Sequence, residues 1–85
     1  MSSPLEQCIE EFIISELERQ KQALFGWQLI RRYTQHCGHQ KIDRSAVLNV
    51  LQRLADDEIV TSIFAGTPQR KQDYAEGLYL IPHDS

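Results

Sequence analysis

The stretch KIDRSAVLNVLQRL, residues 41–54, decides the fold that we expect for this chain. Asp43 is a typical N-cap residue, and the apolar residues after it recur at three- and four-residue steps. These residues are Val47, Val50, Leu51 and Leu54. The spacing predicts an amphipathic helix, helix 3, over about residues 43–56. Its polar side carries Arg44, Ser45, Asn49, Gln52 and Arg53, with Leu48 at the margin.

A first helix is predicted over about residues 4–20. Ser3 is a suitable cap, Pro4 suits the first helical position, and Glu6 completes a capping box. Its apolar stripe consists of Leu5, Cys8, Ile9, Phe12, Ile13 and Leu17, with Ile14 on the flank. The glutamates fall on the other side of helix 1, where we expect them to meet solvent or a partner.

A second helix is predicted over about residues 25–37, with Gly38 as its C-terminal stop. Its inward positions are Leu29, Ile30 and Tyr33. Phe25 and Trp27 lie near its start. We expect all three aromatic residues of this segment to pack in the core and between helices rather than to act as stacking platforms.

The spacing of the apolar residues no longer fits a helix after the acidic run at residues 56–58. Residues 59–65 (IVTSIFA) and 74–81 (YAEGLYLI) read as two strands, the second weakened by Gly77. The polar segment between them contains turn residues and also Arg70 and Lys71. Since a lone hairpin is marginally stable, it must pack on the helices.

The predicted fold class is therefore α+β, mainly α. Three helices are followed by a two-stranded β-hairpin, the wing, over about residues 59–81, which is the winged variant of the helix-turn-helix. With 85 residues, the chain is expected to form a single domain over residues 1–85. That length excludes a multi-domain enzyme.

Charge is unevenly distributed along the sequence, although the net charge is only −3. Residues 1–20 hold five acids and one base, residues 21–72 eight bases and four acids, and the remaining residues three acids. The predicted helices 2 and 3 and the wing are therefore locally basic in an acidic protein.

Several classes of function are not supported by any pattern. No apolar run approaches the ~20 residues needed to span a bilayer, so we expect no membrane contact. The start, MSSPLEQCIEEF, has no secretory pattern, so a cytoplasmic location and reduced thiols at Cys8 and Cys37 are expected. No nucleotide-binding glycine loop or nucleophile set occurs, which indicates a non-enzyme without catalytic residues or cofactors.

The sequence HCGH, residues 36–39, contains three residue types that bind metals. A tetrahedral zinc site usually takes its ligands from two separated pairs, and no second pair is found in the sequence. We therefore expect no metal site, and read the histidines as loop residues.

A resemblance to a known family is carried by two segments. LFGWQLIRRY, residues 24–33, resembles the second-helix motif of PadR-like transcriptional regulators, and residues 41–62 are similar to that family's recognition helix and the short strand after it. The likeness covers roughly residues 5–81. The sequence departs from the family at Leu48, where a tyrosine is frequent, and at residues 55–59, which lack the usual glycine. The C-terminal dimerisation helix common in the family is not seen before Ser85.

The outward residues of helix 3 fit the reading of DNA bases. Arginine pairs with guanine, asparagine and glutamine with adenine, and serine with a base or a phosphate. The predicted base-reading residues are Arg44, Ser45, Asn49 and Gln52. The wing is expected to contact phosphates or the minor groove through Arg70 and Lys71, while Arg31, Arg32 and Lys41 hold phosphates.

The hypothesis is thus a small transcriptional regulator that binds double-stranded DNA. Palindromic operators are read by two-fold dimers, so we expect a homodimer through helix 1. The alternative is a winged helix that binds only protein, as a subunit of a larger complex or as a phage- or plasmid-encoded modulator. The acidic total charge, small size and missing dimerisation helix favour this alternative.

Overall fold

The computed structural model describes residues 4–38 and 41–82. Within these ranges the chain is mainly helical and also forms a small antiparallel sheet. In chain order the elements are α1 (Pro4–Gln20), β1 (Leu24–Phe25), α2 (Gly26–Cys37), α3 (Arg44–Asp56), β2 (Thr61–Ile63), a 3₁₀ helix (Lys71–Ala75) and β3 (Leu78–Leu80). The three predicted helices are confirmed. The predicted cap at Ser3 lies outside the described residues.

The core lies between α1 and α3 and is closed by α2 and the sheet. The predicted apolar stripe of α3 is fully buried, and it packs against Ile9, Ile13 and Leu17 of α1. Leu48 is also buried, not marginal as predicted, since the 3₁₀ helix packs on α3 and the chain before it lies beside this residue. No helix of the described segments is long and apolar enough to cross a bilayer.

The predicted stripe of α1 is only partly correct. Leu5 is 50 % exposed and Cys8 is also exposed, whereas Glu16, expected on the outer side, is buried. Cys8, Phe12 and Glu16 form a row at four-residue spacing that faces α2, and burial increases along that row. The row is therefore covered by α2 only from Phe12 onward.

The sheet has three strands in the order β1-β3-β2, so the prediction of a two-stranded hairpin is wrong. Both pairs are antiparallel, and Leu78 of β3 lies opposite Phe25 of β1 and Ile63 of β2. The strand β1 was not predicted from the sequence, because it is only two residues long and directly precedes α2. Gly26 continues this contact by donating its N–H to the carbonyl of Gly77 at 2.8 Å.

Tyr74 was predicted to lie in the last strand but belongs to the 3₁₀ helix. Two local interactions explain the difference. The Asp73 carboxylate accepts hydrogen bonds from the N–H groups of Gln69 and Arg70, and the carbonyl of Tyr74 accepts one from the buried Tyr79 hydroxyl at 2.7 Å. These bonds curl the chain, so the strand begins only after Gly77.

A residue close after the end of each of the three helices has a positive backbone φ angle. Gly38 caps α2 with a φ of 67°, as predicted. Lys21 after α1 and Glu58 after α3 also have positive φ values, of 54° and 57°. The backbone of Glu58 therefore has a conformation that an L side chain disfavours.

Candidate nucleic-acid interface

The start of α3 is fixed by Asp43, as the sequence predicts. Its carboxylate accepts hydrogen bonds from the N–H groups of Ser45 at 3.0 Å and Ala46 at 3.4 Å. This cap defines the rotation of the first turn of α3. All four of the predicted base-reading residues are exposed, namely Arg44, Ser45, Asn49 and Gln52.

The segment between β2 and β3 reaches this helix face. The Lys71 ammonium donates a hydrogen bond to the Ser45 hydroxyl at 2.7 Å. Arg70 precedes Lys71 and caps the 3₁₀ helix. The two basic residues, together with Arg44, Ser45, Leu48 and Gln72, line one open depression of about 530 Å³. We call this surface the basic patch.

Asp73 fixes the backbone that presents the two basic residues of this segment. The hydrogen bonds that its carboxylate accepts from the N–H groups of Arg70 and Gln69 hold the pKa of Asp73 below its usual value. Asp73 therefore stays ionised at neutral pH. It anchors the start of the 3₁₀ helix, from which Arg70 and Lys71 extend into solvent.

The remaining predicted phosphate contacts are placed differently. Arg31 on α2 and Lys41 before α3 are exposed. Arg32 instead donates a hydrogen bond to the Glu16 carboxylate of α1 at 2.9 Å. Its guanidinium joins α2 to α1 and is not among the residues that line the basic patch.

Glu16 is the centre of an ionic network between α1 and α2. Burial raises the pKa of this carboxyl, but hydrogen bonds from Arg19, Arg32 and Gln20 outweigh burial, so the net pKa is lowered. The carboxylate is therefore ionised at neutral pH. The sequence pattern did not predict the contact between Arg32 and Glu16, because the two residues are sixteen positions apart and lie on different helices.

Arg53 was expected on the outer side of α3 but is half-buried against α1. Its guanidinium lies 3.4 Å from the Glu6 carboxylate and 3.2 Å from that of Glu10. The acids of α1 thus meet arginines of the other two helices. The residues that line the basic patch belong to α3, to the 3₁₀ helix and to the residue before it, and none of them belongs to the acidic helix α1.

Two aromatic residues contradict the predicted core packing. Phe25 is 41 % exposed and Trp27 is 47 % exposed, whereas Tyr33 is buried as expected. The Phe25 and Trp27 rings stack at a centroid distance of 6.0 Å and an angle of 10°. Because Leu24 of β1 takes the inner face of the sheet, Phe25 must point outward. Alternation in a two-residue strand is too short a signal to find in the sequence.

The described residues contain no group of three or more metal-binding side chains. His36 packs its ring on Phe12 at 4.9 Å, while Cys8 and Cys37 are free thiols. Burial, together with the neighbouring Cys37 and Cys8 thiols, raises the pKa of Tyr33 to about 12. His39, the last residue of the HCGH run, lies outside the described residues.

The fold and this surface define a small α+β domain with an exposed polar helix face beside a basic patch. Comparison with models of protein families, with curated proteins and with solved structures finds no match for this chain. The chemistry of the exposed residues is therefore what supports a function.

Proposed function

We propose that this protein is a cytoplasmic winged-helix regulator that binds double-stranded DNA. In this arrangement α3 enters the major groove, and the segment between β2 and β3 acts as the wing. The observation that carries the proposal is the hydrogen bond between Lys71 and Ser45, because it brings the cations of the wing to the N-terminal turn of α3.

The exposed face of α3 has the chemistry needed to read base edges. Arg44 matches the O6 and N7 acceptors of guanine, while Asn49 and Gln52 match the N7 and N6 groups of adenine. These side chains lie in the first three turns of α3, the part of a recognition helix that reaches the bases.

Phosphate contacts are assigned to the cations around that face. Arg70 and Lys71 would follow the backbone or the minor groove, and Arg31 and Lys41 are exposed for the same role. Arg32 would have to leave Glu16 in order to reach a phosphate, so we assign it a smaller part. Each phosphate contact adds to the salt dependence of binding.

The resemblance to PadR-like regulators in residues 24–33 and 41–62 supports the same proposal. We further propose a two-fold dimer through α1, which would match a palindromic operator. The exposed side of α1 carries Leu5 and Cys8, but also Glu11 and Glu18. Two such faces would repel each other, so dimerisation should strengthen as salt rises.

The test is fluorescence anisotropy with a mixed-sequence duplex at low and moderate salt. Arg44→Glu combined with Arg70→Glu should weaken binding at least tenfold and flatten its salt dependence. Lys21→Glu, a single charge reversal at an exposed position outside the basic patch, is the control for Arg44→Glu and Arg70→Glu taken singly and should have a much smaller effect. Absence of duplex binding at tens of micromolar protein would exclude the proposal.

One observation favours the alternative, a module that binds only protein. Leu78 lies between Phe25 and Ile63 across the sheet, and Ile63 is 55 % exposed. Exposed apolar rows of this kind often mark protein contacts. Ile63→Ser should then abolish capture of one stoichiometric partner from the native cytoplasm, while the double charge reversal on the basic patch would leave capture unchanged.

A further inference from the structure

The ring of Trp27, on which the ring of Phe25 stacks, lies beside the basic patch. Trp27 lines an open depression of about 340 Å³ together with Arg44, Gln72, Asp73, Ala75 and Glu76. Arg44 and Gln72 also line the depression that defines the basic patch. Trp27 and the cations therefore border two depressions that share Arg44 and Gln72 as a common wall.

The two ends of this double depression differ in chemistry. At one end, Arg70 and Lys71 suit a phosphate. At the other end, the exposed indole of Trp27 offers a flat apolar surface of the kind on which nucleic-acid bases stack. The order of these groups matches that of a nucleotide, with its base at the aromatic end and its phosphate at the basic end.

The two acidic residues of the depression beside Trp27 are compatible with a nucleotide bound there. The Asp73 carboxylate is engaged by the N–H groups of Gln69 and Arg70, so it belongs to the backbone of the wing. Glu76 is exposed at the aromatic end. A carboxylate there suits an amino group of a base, which donates hydrogen bonds, and would repel a phosphate.

We propose that Phe25 and Trp27 form a stacking site for an unpaired base of bound DNA, next to the duplex interface. The protein then binds a duplex that carries an unpaired nucleotide, as an overhang or a bulge, more tightly than a blunt duplex of the same sequence. This inference rests on the proposed DNA-binding function and adds the substrate feature that the aromatic pair recognises.

A protein partner is the competing occupant of the aromatic pair. Phe25 continues the apolar row of Leu78 and Ile63 on the sheet, which would suit a protein. Trp27 instead shares its depression with five residues of which four are polar or charged. Charge complementarity between a phosphate and Arg70 and Lys71 in the adjoining depression therefore favours the nucleotide.

The experiment uses the fact that Trp27 is the only tryptophan in the chain. Its emission is recorded during titration with a blunt duplex and with the same duplex carrying a three-nucleotide single-stranded end. We expect stacking to quench Trp27 only with the second duplex. The ratio of the two Kd values should favour the overhang by about 5- to 150-fold, as for one stacked base.

Two variants of Trp27 test whether its ring causes the difference between the two Kd values. Trp27→Ala should bring the Kd ratio close to one, whereas Trp27→Phe, which keeps a stacking ring, should retain most of the preference. Circular dichroism of each variant establishes that it is folded. Equal Kd values of the wild-type protein for the two duplexes, or a preference that survives Trp27→Ala in the folded protein, would overturn the inference.

Two further outcomes separate this inference from the proposed function. If the wild type binds the blunt duplex and Arg44→Glu weakens that binding, but the overhang brings no gain, only the stacking site is wrong. If no duplex is bound at all, both proposals fail. If sedimentation reveals self-association that Trp27→Ala abolishes, the aromatic pair is a protein contact and the stacking site is overturned.

Discussion

Lys71 and Ser45 are separated by 26 positions in the chain, yet the ammonium of one donates to the hydroxyl of the other at 2.7 Å. Both residues are exposed, so the bond crosses the protein surface. It joins the segment between β2 and β3 to the first turn of α3. This relationship turns two separately charged segments into one surface.

The first prediction concerns the charge of Lys71. Lys71→Gln should weaken duplex binding and reduce the slope of log K against log salt by about 1, as expected for one lost phosphate contact. Lys21→Gln serves as the control, because Lys21 is exposed at the far end of α1. Equal slopes for the two variants in anisotropy titrations would argue against a phosphate contact by Lys71.

The second prediction concerns the buried carboxylate of Glu16. Its pKa is lowered in the folded protein, so it stabilises the fold above the unfolded pKa near 4.5. This stabilisation is lost as the pH falls through the folded pKa. Glu16→Gln should therefore reduce the free energy of unfolding at pH 7 by about 1–3 kcal/mol, because charge-assisted hydrogen bonds from Arg19 and Arg32 are lost.

The pH profile supplies the control for Glu16. Urea unfolding of the wild type and of Glu16→Gln should give a difference in the free energy of unfolding that shrinks as the pH falls below the ordinary pKa of 4.5 and through the lowered pKa of the folded carboxyl. Glu18→Gln, at an exposed position of the same helix, should show little difference at any pH. A constant difference for Glu16→Gln from pH 7 to pH 3 would contradict the ionic role.

The third prediction concerns the backbone after α3. Glu58 has a φ of 57°, which costs an L residue roughly 1–2 kcal/mol, whereas Asp57 has an ordinary φ of −85°. Both acids lie at the C-terminal end of α3, so replacement of either by glycine removes a similar unfavourable charge. Glu58→Gly should therefore be more stable than Asp57→Gly by about 1–2 kcal/mol in thermal unfolding. Equal melting temperatures would rule out strain at Glu58.

The fourth prediction concerns the close approach at Gly26. A Cβ at this position would overlap the carbonyl oxygen of Tyr74 and lie 2.9 Å from the Cα of Ala75. Gly26→Ala should therefore destabilise the protein by about 1–3 kcal/mol or more, since the backbone of the 3₁₀ helix has to move. Gly66→Ala meets no atom within 4 Å and should be near neutral. Chemical denaturation of both variants measures the contrast.

The helices were predictable because their signals are local. The N-cap at Asp43, the glycine stop at Gly38 and the three- and four-residue apolar spacing each act within one or two turns. The observed bounds of α2 and α3 accordingly follow the expected ones closely. The exposed polar face of α3 was predictable for the same reason, because it is the complement of the apolar stripe.

The errors arose where a distant contact overrides the local pattern. Phe25 is exposed because Leu24 pairs with Tyr79, more than fifty positions away, and turns the next side chain outward. Glu16 is buried because Arg32 reaches it from another helix. Tyr79 and Arg32 lie too far along the chain from the residues they contact to influence the local spacing pattern. That pattern therefore predicted the commoner arrangement, with aromatic residues buried and glutamates exposed.

The sequence alone determined the three helices, the polar face of α3 and the separation of acidic from basic segments, since each depends on neighbours a few positions apart. Tertiary structure decided which acidic or polar group each cation contacts. Arg32 and Arg53 bind the acids of α1, while Lys71 joins Ser45 on the other surface. The physical reason is that charges interact through space, so the surface that they form depends on packing between elements and not on chain order.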